Sequence, residues 1–274
     1  MVNNGIKDFQ DLVWQYYRQC GRTFPWRETT DPYAIWVSEI MLQQTQVSRV
    51  ETKYRDFLGE LPAVEDLAAV PLPRLLQLWQ GLGYNRRALA LQQGAQLVVA
   101  EYAGRLPRKD LESLPGIGPY TASAIRAFAF NEPVVMIETN IRRAFLHFFF
   151  PGVEGVDDKQ ILPLVKEALD RKNARQWYYA LMDYGAALVK VGPNPNRRSA
   201  HYSRQSRFEG SNRQLRGQIL RTLLERSQTQ LELTLQLGGD DARVAAVLWQ
   251  LEREGFVAQN AGQLTVVGQE TALL

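Results

Sequence analysis

Two carboxylates lie in sequence environments that could give them opposite protonation states. Glu39 stands in WVSEIML at residues 36–42, at the edge of a helical stripe that includes Trp36 and Ile40. Poor solvation there should raise its pKa, so that it carries a proton near neutral pH and acts as a general acid. Glu138 precedes a predicted helix, whose positive end favours an ionised carboxylate. Such a pair suits acid-assisted cleavage of an O- or N-glycosidic bond. Alternatively, Glu39 pairs with a neighbouring helix and Glu138 is a simple cap.

The sequence LPGIG at residues 114–118 could hold an anion. Gly116 and Gly118 leave the backbone N–H groups of a turn unobstructed, and a helix beginning near Pro119 would direct its positive end at the same place. A DNA phosphate is the obvious candidate. The alternative is a joint between two helices that binds nothing.

Polar and aromatic residues near the candidate acid could contact DNA bases. Gln43 and Gln44 begin the run QQTQ, and amide side chains can bond to base edges or fill the gap left by an extruded base. Tyr84 follows a glycine turn, where an aromatic ring could act as a wedge between bases. Simple exposure of the glutamines and ordinary packing of the tyrosine are the alternatives.

Composition limits the class of protein. The 274 residues carry 32 Lys and Arg against 29 Asp and Glu, a mild excess that is compatible with nucleic acid. The single cysteine, Cys20, excludes an internal disulfide and an all-cysteine metal site built by this chain alone. No apolar run reaches membrane-spanning length. We therefore expect a soluble, cytoplasmic protein with no metal site and no membrane contact.

Helical periodicity extends over most of the chain. A turn at residues 192–196 interrupts it, and strands are expected only near the end, at 256–258 and 264–267 around a hairpin. Three helices before that hairpin give the outline of a winged helix. The predicted helices lie at residues 6–20, 31–47, 49–57, 64–70, 72–79, 86–102, 110–114, 120–130, 140–149, 159–170, 174–189, 214–226, 231–237 and 241–254.

Six sequence motifs resemble one family. They are PWR at 25–27, DPY at 31–33, WVSEIMLQQTQV at 36–47, LGY at 82–84, LPGIG at 114–118 and MDYGA at 182–186. Their types, order and spacing resemble the adenine DNA glycosylases of the MutY type, within the helix–hairpin–helix (HhH-GPD) DNA glycosylase superfamily. The likeness covers about residues 5–190.

The resemblance implies an all-α, two-lobed HhH-GPD glycosylase fold followed by a C-terminal winged-helix domain with a small β-hairpin. We expect the glycosylase domain at residues 1–209. Within it, a helical barrel lobe with the hairpin spans 27–135, and a second lobe combines 1–26 with 136–209. The winged helix is expected at 213–270.

The resemblance also assigns roles to individual residues. Glu39 would protonate adenine, and Gln44 and Tyr84 would be inserted into the DNA stack. Tyr120 stands where the lyase-active branch of the superfamily carries a lysine nucleophile, so we expect a monofunctional enzyme that forms no Schiff base. The remaining residues expected to contact DNA or the base are Arg27, Gln43, Thr45, Leu82, Gly116, Gly118 and Asn140.

Three departures from the family pattern accompany the resemblance. Glu138 occupies the position of the family's aspartate, which stabilises the sugar cation, and is one methylene longer. Residues 189–206 contain no cysteine, so no iron–sulfur cluster and no other cofactor is expected; instead, the 192–196 turn and the arginines up to Arg207 would shape a DNA-contacting loop. A winged helix stands in place of the MutT-like domain that recognises 8-oxoguanine. Acidic residues such as Asp241 and Glu254 in its third helix favour packing against the core or a protein partner over DNA reading.

The expected activity is hydrolysis of the N-glycosidic bond of a flipped base in double-stranded DNA during base excision repair, with adenine as the default base. One alternative is a glycosylase for another base, such as uracil or thymine opposite guanine or a damaged base. The other is a non-catalytic protein that binds lesions. We expect a monomer associated with the nucleoid.

Overall fold

The computed structural model describes residues 2–203 and 207–269, which form thirteen α-helices and one two-stranded sheet. Strands β1 (Val257–Asn260) and β2 (Gln263–Val266) are antiparallel, with Val257 opposite Val266. In chain order, helices α1 to α13 are Val2–Cys20, Pro32–Leu42, Val47–Glu60, Val64–Ala69, Leu72–Trp79, Arg86–Tyr102, Pro119–Phe130, Thr139–Phe149, Asp158–Ala168, Ala174–Val191, Asn212–Glu225, Gln230–Leu237 and Asp241–Arg253.

The chain divides into two compact units. The first comprises residues 1–39, 108–113 and 117–204, and the second comprises residues 40–107, 114–116 and 205–274. Helix α2 passes from one to the other. Three short 3-10 helices, Pro25–Arg27, Leu111–Ser113 and Pro195–Arg198, complete the first unit. The domain boundaries predicted at residues 209–213 stay a prediction.

Aromatic packing builds the core of the first unit. The fully buried ring of Phe9 in α1 lies 4.7 Å from that of Phe145 in α8 and meets Trp177 of α10 edge-on at 6.2 Å. Helices α8 and α10 approach closely because Gly185 has no side chain: a Cβ there would stand 2.1 Å from the carbonyl oxygen of Asn140. This contact fixes the beginning of α8, where Glu138 is located.

The second unit has a core shared by helix α5 and the C-terminal segment. Leu76 of α5 belongs to the same buried cluster as Ile219 of α11, Val247 of α13 and Val266 of β2. The three helices and hairpin of the predicted winged helix are therefore present and pack on α5. This places α11 beside the turn that carries Tyr84.

The all-α fold class with a small hairpin is confirmed, but helix α2 ends earlier than predicted. It ends at Leu42 rather than near residue 47, because Gln44 adopts the left-handed conformation with φ of +54°. Its beginning agrees with the prediction, since the Asp31 carboxylate accepts hydrogen bonds from the N–H groups of Tyr33 and Ala34.

The loop after residue 191, predicted to contact DNA, packs on its own unit. Arg198 donates to the carbonyl oxygens of Leu146 (2.9 Å) and Phe150 at the end of α8. The Asn196 side-chain amide donates to the carbonyl oxygen of Thr139 at 2.9 Å. Arg198 therefore caps a helix, and a DNA contact by this loop stays a prediction. Arg204 lies outside the described residues.

Within residues 2–203 and 207–269, no helix has the length and apolar character needed to cross a membrane. The same residues hold no group of three or more His, Cys, Asp or Glu side chains placed to bind a metal ion.

Candidate active site

Glu39 is a buried carboxylic acid in the last part of α2. Only 8% of its surface is exposed. The pKa of Glu39 is raised to about 8, first by burial and then by the nearby charge of Glu138, against a hydrogen bond from the Tyr120 hydroxyl that lowers it. The rise in pKa predicted from the sequence is confirmed. A protonated carboxyl group at neutral pH can serve as a general acid.

Glu138 is the N-cap of helix α8. Its Oε1 atom accepts hydrogen bonds of 2.7 Å from the backbone N–H groups of both Asn140 and Ile141, and the Asn140 side-chain amide donates to Oε2 at 3.2 Å. Burial raises the pKa of Glu138, and these hydrogen bonds oppose the rise. The position at the helix start agrees with the prediction. The hydrogen bonds favour the ionised form, as the helix start predicted, but desolvation outweighs them, so the pKa of Glu138 lies above its ordinary value.

Arg143 orients the amide of Asn140 toward Glu138. Its guanidinium donates to Asn140 Oδ1 (2.8 Å), to the carbonyl oxygen of Gly185 (2.9 Å) and to Asn194 Oδ1 (3.1 Å). With the oxygen of Asn140 engaged in this way, its Nδ2 faces the carboxylate. The charge of Arg143 also lowers the pKa of Glu138. Sequence reasoning missed Arg143, although an arginine pair beside apolar helix positions was a visible signal.

Two tyrosines, Tyr120 and Tyr178, lie close to the carboxylates or to the segment that carries Glu138. The pKa of Tyr120 is raised well above its ordinary value by burial and by the charges of Glu39 and Glu138, so Tyr120 stays a hydrogen-bond donor. The Tyr178 hydroxyl donates to the carbonyl oxygen of Val134 (2.6 Å) and accepts from the N–H of Met136 (3.3 Å). Tyr178 therefore holds the extended segment that leads to Glu138.

Arg27, predicted to contact DNA, is engaged inside the first unit. It forms a bidentate ion pair with the buried Asp183, at 2.8 and 2.9 Å, and its Cζ atom lies 4.5 Å from the centre of the Tyr179 ring. Asp183 also receives the guanidinium of Arg22 at 2.8 Å. Because the Arg27 side chain is 8% exposed, its evident role is to fix Asp183 and Tyr179. A DNA contact by Arg27 stays a prediction.

Gln44 and Tyr84 occupy two turns of the second unit, and both have left-handed backbones, with φ of +54° and +48°. This conformation is costly for residues other than glycine and is concentrated at functional sites. Tyr84 is 38% exposed, whereas Leu82 is buried and fills the core under the turn. Thr45 links the two turns through hydrogen bonds to the carbonyl oxygens of Gln43 (3.2 Å) and Leu82 (3.5 Å).

A residue that the sequence did not reveal, Arg87, joins these two turns. One end of its guanidinium donates to the carbonyl oxygens of Ile40 (2.7 Å) and Gln43 (2.6 Å), and the other donates to that of Gly83 (3.0 Å). Burial lowers the pKa of Arg87 to about 10. Arg87 is thus a positioning residue for both the Gln43–Thr45 turn and the Gly81–Tyr84 turn.

The two glycines of the LPGIG motif differ in backbone conformation and in the space around them. Gly116 has φ of +79°, and a Cβ there would lie 3.1 Å from that of Ala90. Gly118 is the extended N-cap of α7, with φ of −92° and open space around it. Gly116 is needed for the turn itself, whereas Gly118 only keeps the helix start uncovered. Phosphate binding here stays a prediction.

Known proteins resemble the chain in both sequence and structure. Residues 37–162 match the family described as HhH-GPD superfamily base excision DNA repair protein. The chain is 32% identical over 286 residues to the adenine DNA glycosylase of Mycolicibacterium smegmatis. This alignment covers 96% of this chain and 97% of that protein.

A second relative, the adenine DNA glycosylase of Homo sapiens, is 34% identical over 197 residues, or 67% of this chain and 36% of that protein. Against this protein and three similar ones, the chain spans 36% to 54% of the relatives' length. A solved thermostable thymine-DNA glycosylase superposes with a TM-score of 0.60 and 28% identity, covering 68% of this chain and 88% of that one. The chain belongs to the HhH-GPD superfamily of base excision DNA repair proteins.

Proposed function

We propose that the chain is a monofunctional DNA glycosylase that hydrolyses the N-glycosidic bond of a flipped base, with adenine as the default base. The observation that carries this proposal is the buried Glu39 carboxyl group with a pKa of about 8 beside Glu138. A non-catalytic binding protein would have no need to keep two carboxylates close together in a desolvated site.

The chemistry follows from the two carboxylates. Glu39 donates its proton to the adenine ring, which then accepts the electron pair of the bond to the sugar as that bond breaks. The deoxyribose becomes oxocarbenium-like, and the negative charge of Glu138 stabilises it. Water adds to the sugar carbon and releases a proton. Asn140 and Arg143 hold Glu138 in place for this step.

Tyr120 supports the absence of lyase activity. By the family resemblance it occupies the position at which lyase-active members of the superfamily carry a lysine, and a phenol has no amine with which to form a Schiff base. Reduction with borohydride during turnover should therefore trap no protein covalently on DNA. A trapped complex would contradict this part of the proposal.

The proposal extends to partners and conditions. The substrate would be double-stranded DNA, held through the LPGIG turn and through Gln43, Gln44, Thr45 and Tyr84. The protein would act as a nucleoid-associated monomer and need no iron–sulfur cluster or other cofactor. The C-terminal helices would also bind a protein partner.

A second candidate substrate is thymine or uracil opposite guanine. It is favoured by the likeness to the solved thermostable thymine-DNA glycosylase, at 28% identity. The replacement of the family aspartate by Glu138 moves the stabilising carboxylate and is compatible with another base.

Base release from a panel of duplexes tests both candidates. Each duplex holds adenine, cytosine, thymine, uracil or hypoxanthine opposite each normal base and opposite 8-oxoguanine. We expect release of adenine from a mispair, and a loss of about 10²- to 10⁴-fold in Glu39→Gln with DNA binding retained. Release of thymine or uracil alone would favour the second candidate. Equal behaviour of variant and wild type in every assay would favour a binding protein.

A further inference from the structure

Two cavities of the second unit share Tyr84 in their lining. The first has a volume of about 470 Å³ and is bordered by Arg86, Arg216 and Gln250. The second has about 430 Å³ and is bordered by Arg49, Phe208 and Arg221. Each lies in the size range of small-molecule sites. Six residues border both cavities: Gln44, Gly83, Tyr84, Asn85, Arg213 and Gly217.

Arg213 of α11 fixes the ring of Tyr84. Its guanidinium donates to the Tyr84 hydroxyl at 2.6 Å and lies 5.6 Å from the centre of the Tyr84 ring. Arg87 approaches the same ring at 5.4 Å. Two guanidinium groups thus lie near the same aromatic ring, whose backbone is left-handed.

The lining of both cavities is basic. Six different arginines border them, and among the described lining residues there is no carboxylate. Glu254, which from sequence counted against DNA, forms ion pairs with Arg86 and Arg216 and does not line either cavity. The side of the C-terminal segment that borders Tyr84 is therefore formed mainly by α11, with its arginines, rather than by the acidic helix α13. This charge fits a phosphodiester, and the planar ring of Tyr84 fits nucleobases.

Gly217 keeps the space open. It lies in the interior of α11, where glycine is the least favourable residue after proline. Its φ is ordinary, and no atom lies within 4 Å of the position a Cβ would take. Neither the backbone nor the packing of the protein alone therefore explains the glycine. Its effect is to leave both cavities wider.

We propose that these two cavities bind a DNA strand beside Tyr84, with α11 as the outer wall of the site. The arginines of α11 and of the facing turns contact the phosphates of that strand. The C-terminal helices are then part of the DNA site rather than a separate docking module. This inference rests on the proposed function in that DNA is the ligand.

Filling the cavities from Gly217 tests the site. The full chain in an inactive Glu39→Gln background is titrated onto a fluorescein-labelled duplex with one A·G mispair, and anisotropy gives Kd. Gly217→Leu should weaken binding by about tenfold or more and Gly217→Ala by about threefold or less, since a longer side chain occupies more of the space. The matched control is Gly59→Leu. Gly59 lies in α3 of the same unit, has open space around it and borders neither cavity.

Salt dependence provides a second variant set that does not alter α11 packing. Arg49→Ala and Arg221→Ala, both at exposed positions bordering the second cavity, should each reduce the slope of log Kd against log salt by about one. Arg226→Ala, at the C-cap of α11 and outside both cavities, should leave it unchanged.

The outcomes are separable from those of the proposed function. Weaker binding by Gly217→Leu with an unchanged melting temperature supports the site, even if the wild type releases no adenine. Equal binding by Gly217→Leu and Gly59→Leu, with unchanged salt slopes, overturns it even if adenine is released. Tighter binding by Arg213→Ala or Gly217→Leu also overturns it, because α11 would then be a cover over Tyr84 or a surface for a protein partner.

Discussion

The hydroxyl of Tyr120 donates a hydrogen bond to the carboxylate of Glu39, joining the start of helix α7 to the candidate acid in α2. This bond favours the ionised form of Glu39, in opposition to burial and to the charge of Glu138. The acidity of Glu39 is therefore set by burial and by two groups, Glu138 and Tyr120, that can be changed one at a time.

Tyr120→Phe removes the one hydrogen bond that lowers the pKa of Glu39. The pKa of Glu39 should rise, and the alkaline limb of the pH profile of the single-turnover rate should move to higher pH. Loss of one hydrogen bond of about 1 kcal/mol should change the neutral-pH rate by no more than about tenfold. Tyr202→Phe, at an exposed tyrosine, is the control. A limb that moves to lower pH would contradict the assignment of Glu39 as the acid.

Glu39→Gln should make protein stability less dependent on pH. The folded-state pKa of Glu39, about 8, lies above its ordinary value of 4.5, so its contribution to stability is present at low pH and is lost as pH rises through 8. The glutamine variant has no ionisable group at this position, so it does not lose this stability as pH rises. Relative to wild type, it should gain on the order of 1 to 3 kcal/mol in unfolding free energy between pH 5 and pH 8. Urea unfolding at the two pH values measures this, and parallel curves would refute it.

Arg87→Ala should destabilise the second unit by about 2–4 kcal/mol, because several backbone carbonyls would lose their donor in a partly buried place. Arg87→Lys should restore little of this, since an ammonium group cannot reach both turns as a planar guanidinium does. Arg86→Ala is the control. It removes an exposed ion pair with Glu254 and should cost less than about 1 kcal/mol. Equal losses in the two alanine variants would contradict the positioning role.

Gly116→Ala and Gly118→Ala should separate folding from DNA contact. The positive φ of Gly116 and its contact with Ala90 predict a loss of about 1–2 kcal/mol in stability. Gly118→Ala should change stability by less than about 0.5 kcal/mol. Gly118→Val should nevertheless weaken binding to all duplex sequences similarly, because a phosphate contact carries no base information. Thermal unfolding and anisotropy measure the two effects, and a sequence-dependent loss would argue against a phosphate site.

The sequence predicted the local environments and missed the long-range ones. The burial of Glu39 follows from its helical neighbours Trp36 and Ile40, and the cap at Glu138 follows from the residues beside it. The net rise in the pKa of Glu138 was not predictable, because it depends on desolvation by segments far away in the chain. Hydrogen bonds of Arg87 to backbone carbonyls leave no trace in residue types, since every residue has a carbonyl group.

For the C-terminal helices, too, the sequence predicted the local structure and missed the long-range contacts. Their number, order and hairpin were predicted correctly from periodicity. Counting charges along α13 did not show that Glu254 is paired with Arg216 and with Arg86 from another part of the chain. The role proposed for the arginines of α11 depends on their position beside Tyr84, which the sequence does not show.

Adenine release under single-turnover conditions from a duplex with adenine opposite guanine or 8-oxoguanine, followed from pH 5 to pH 10, tests the central assignment most directly. The wild type should release adenine with a rate that falls as pH rises through about 8, where Glu39 loses its proton. Glu39→Gln should bind the same duplex and be slower by about 10²- to 10⁴-fold. A folded wild type that releases no adenine, or a variant that releases it at the wild-type rate, would contradict the account.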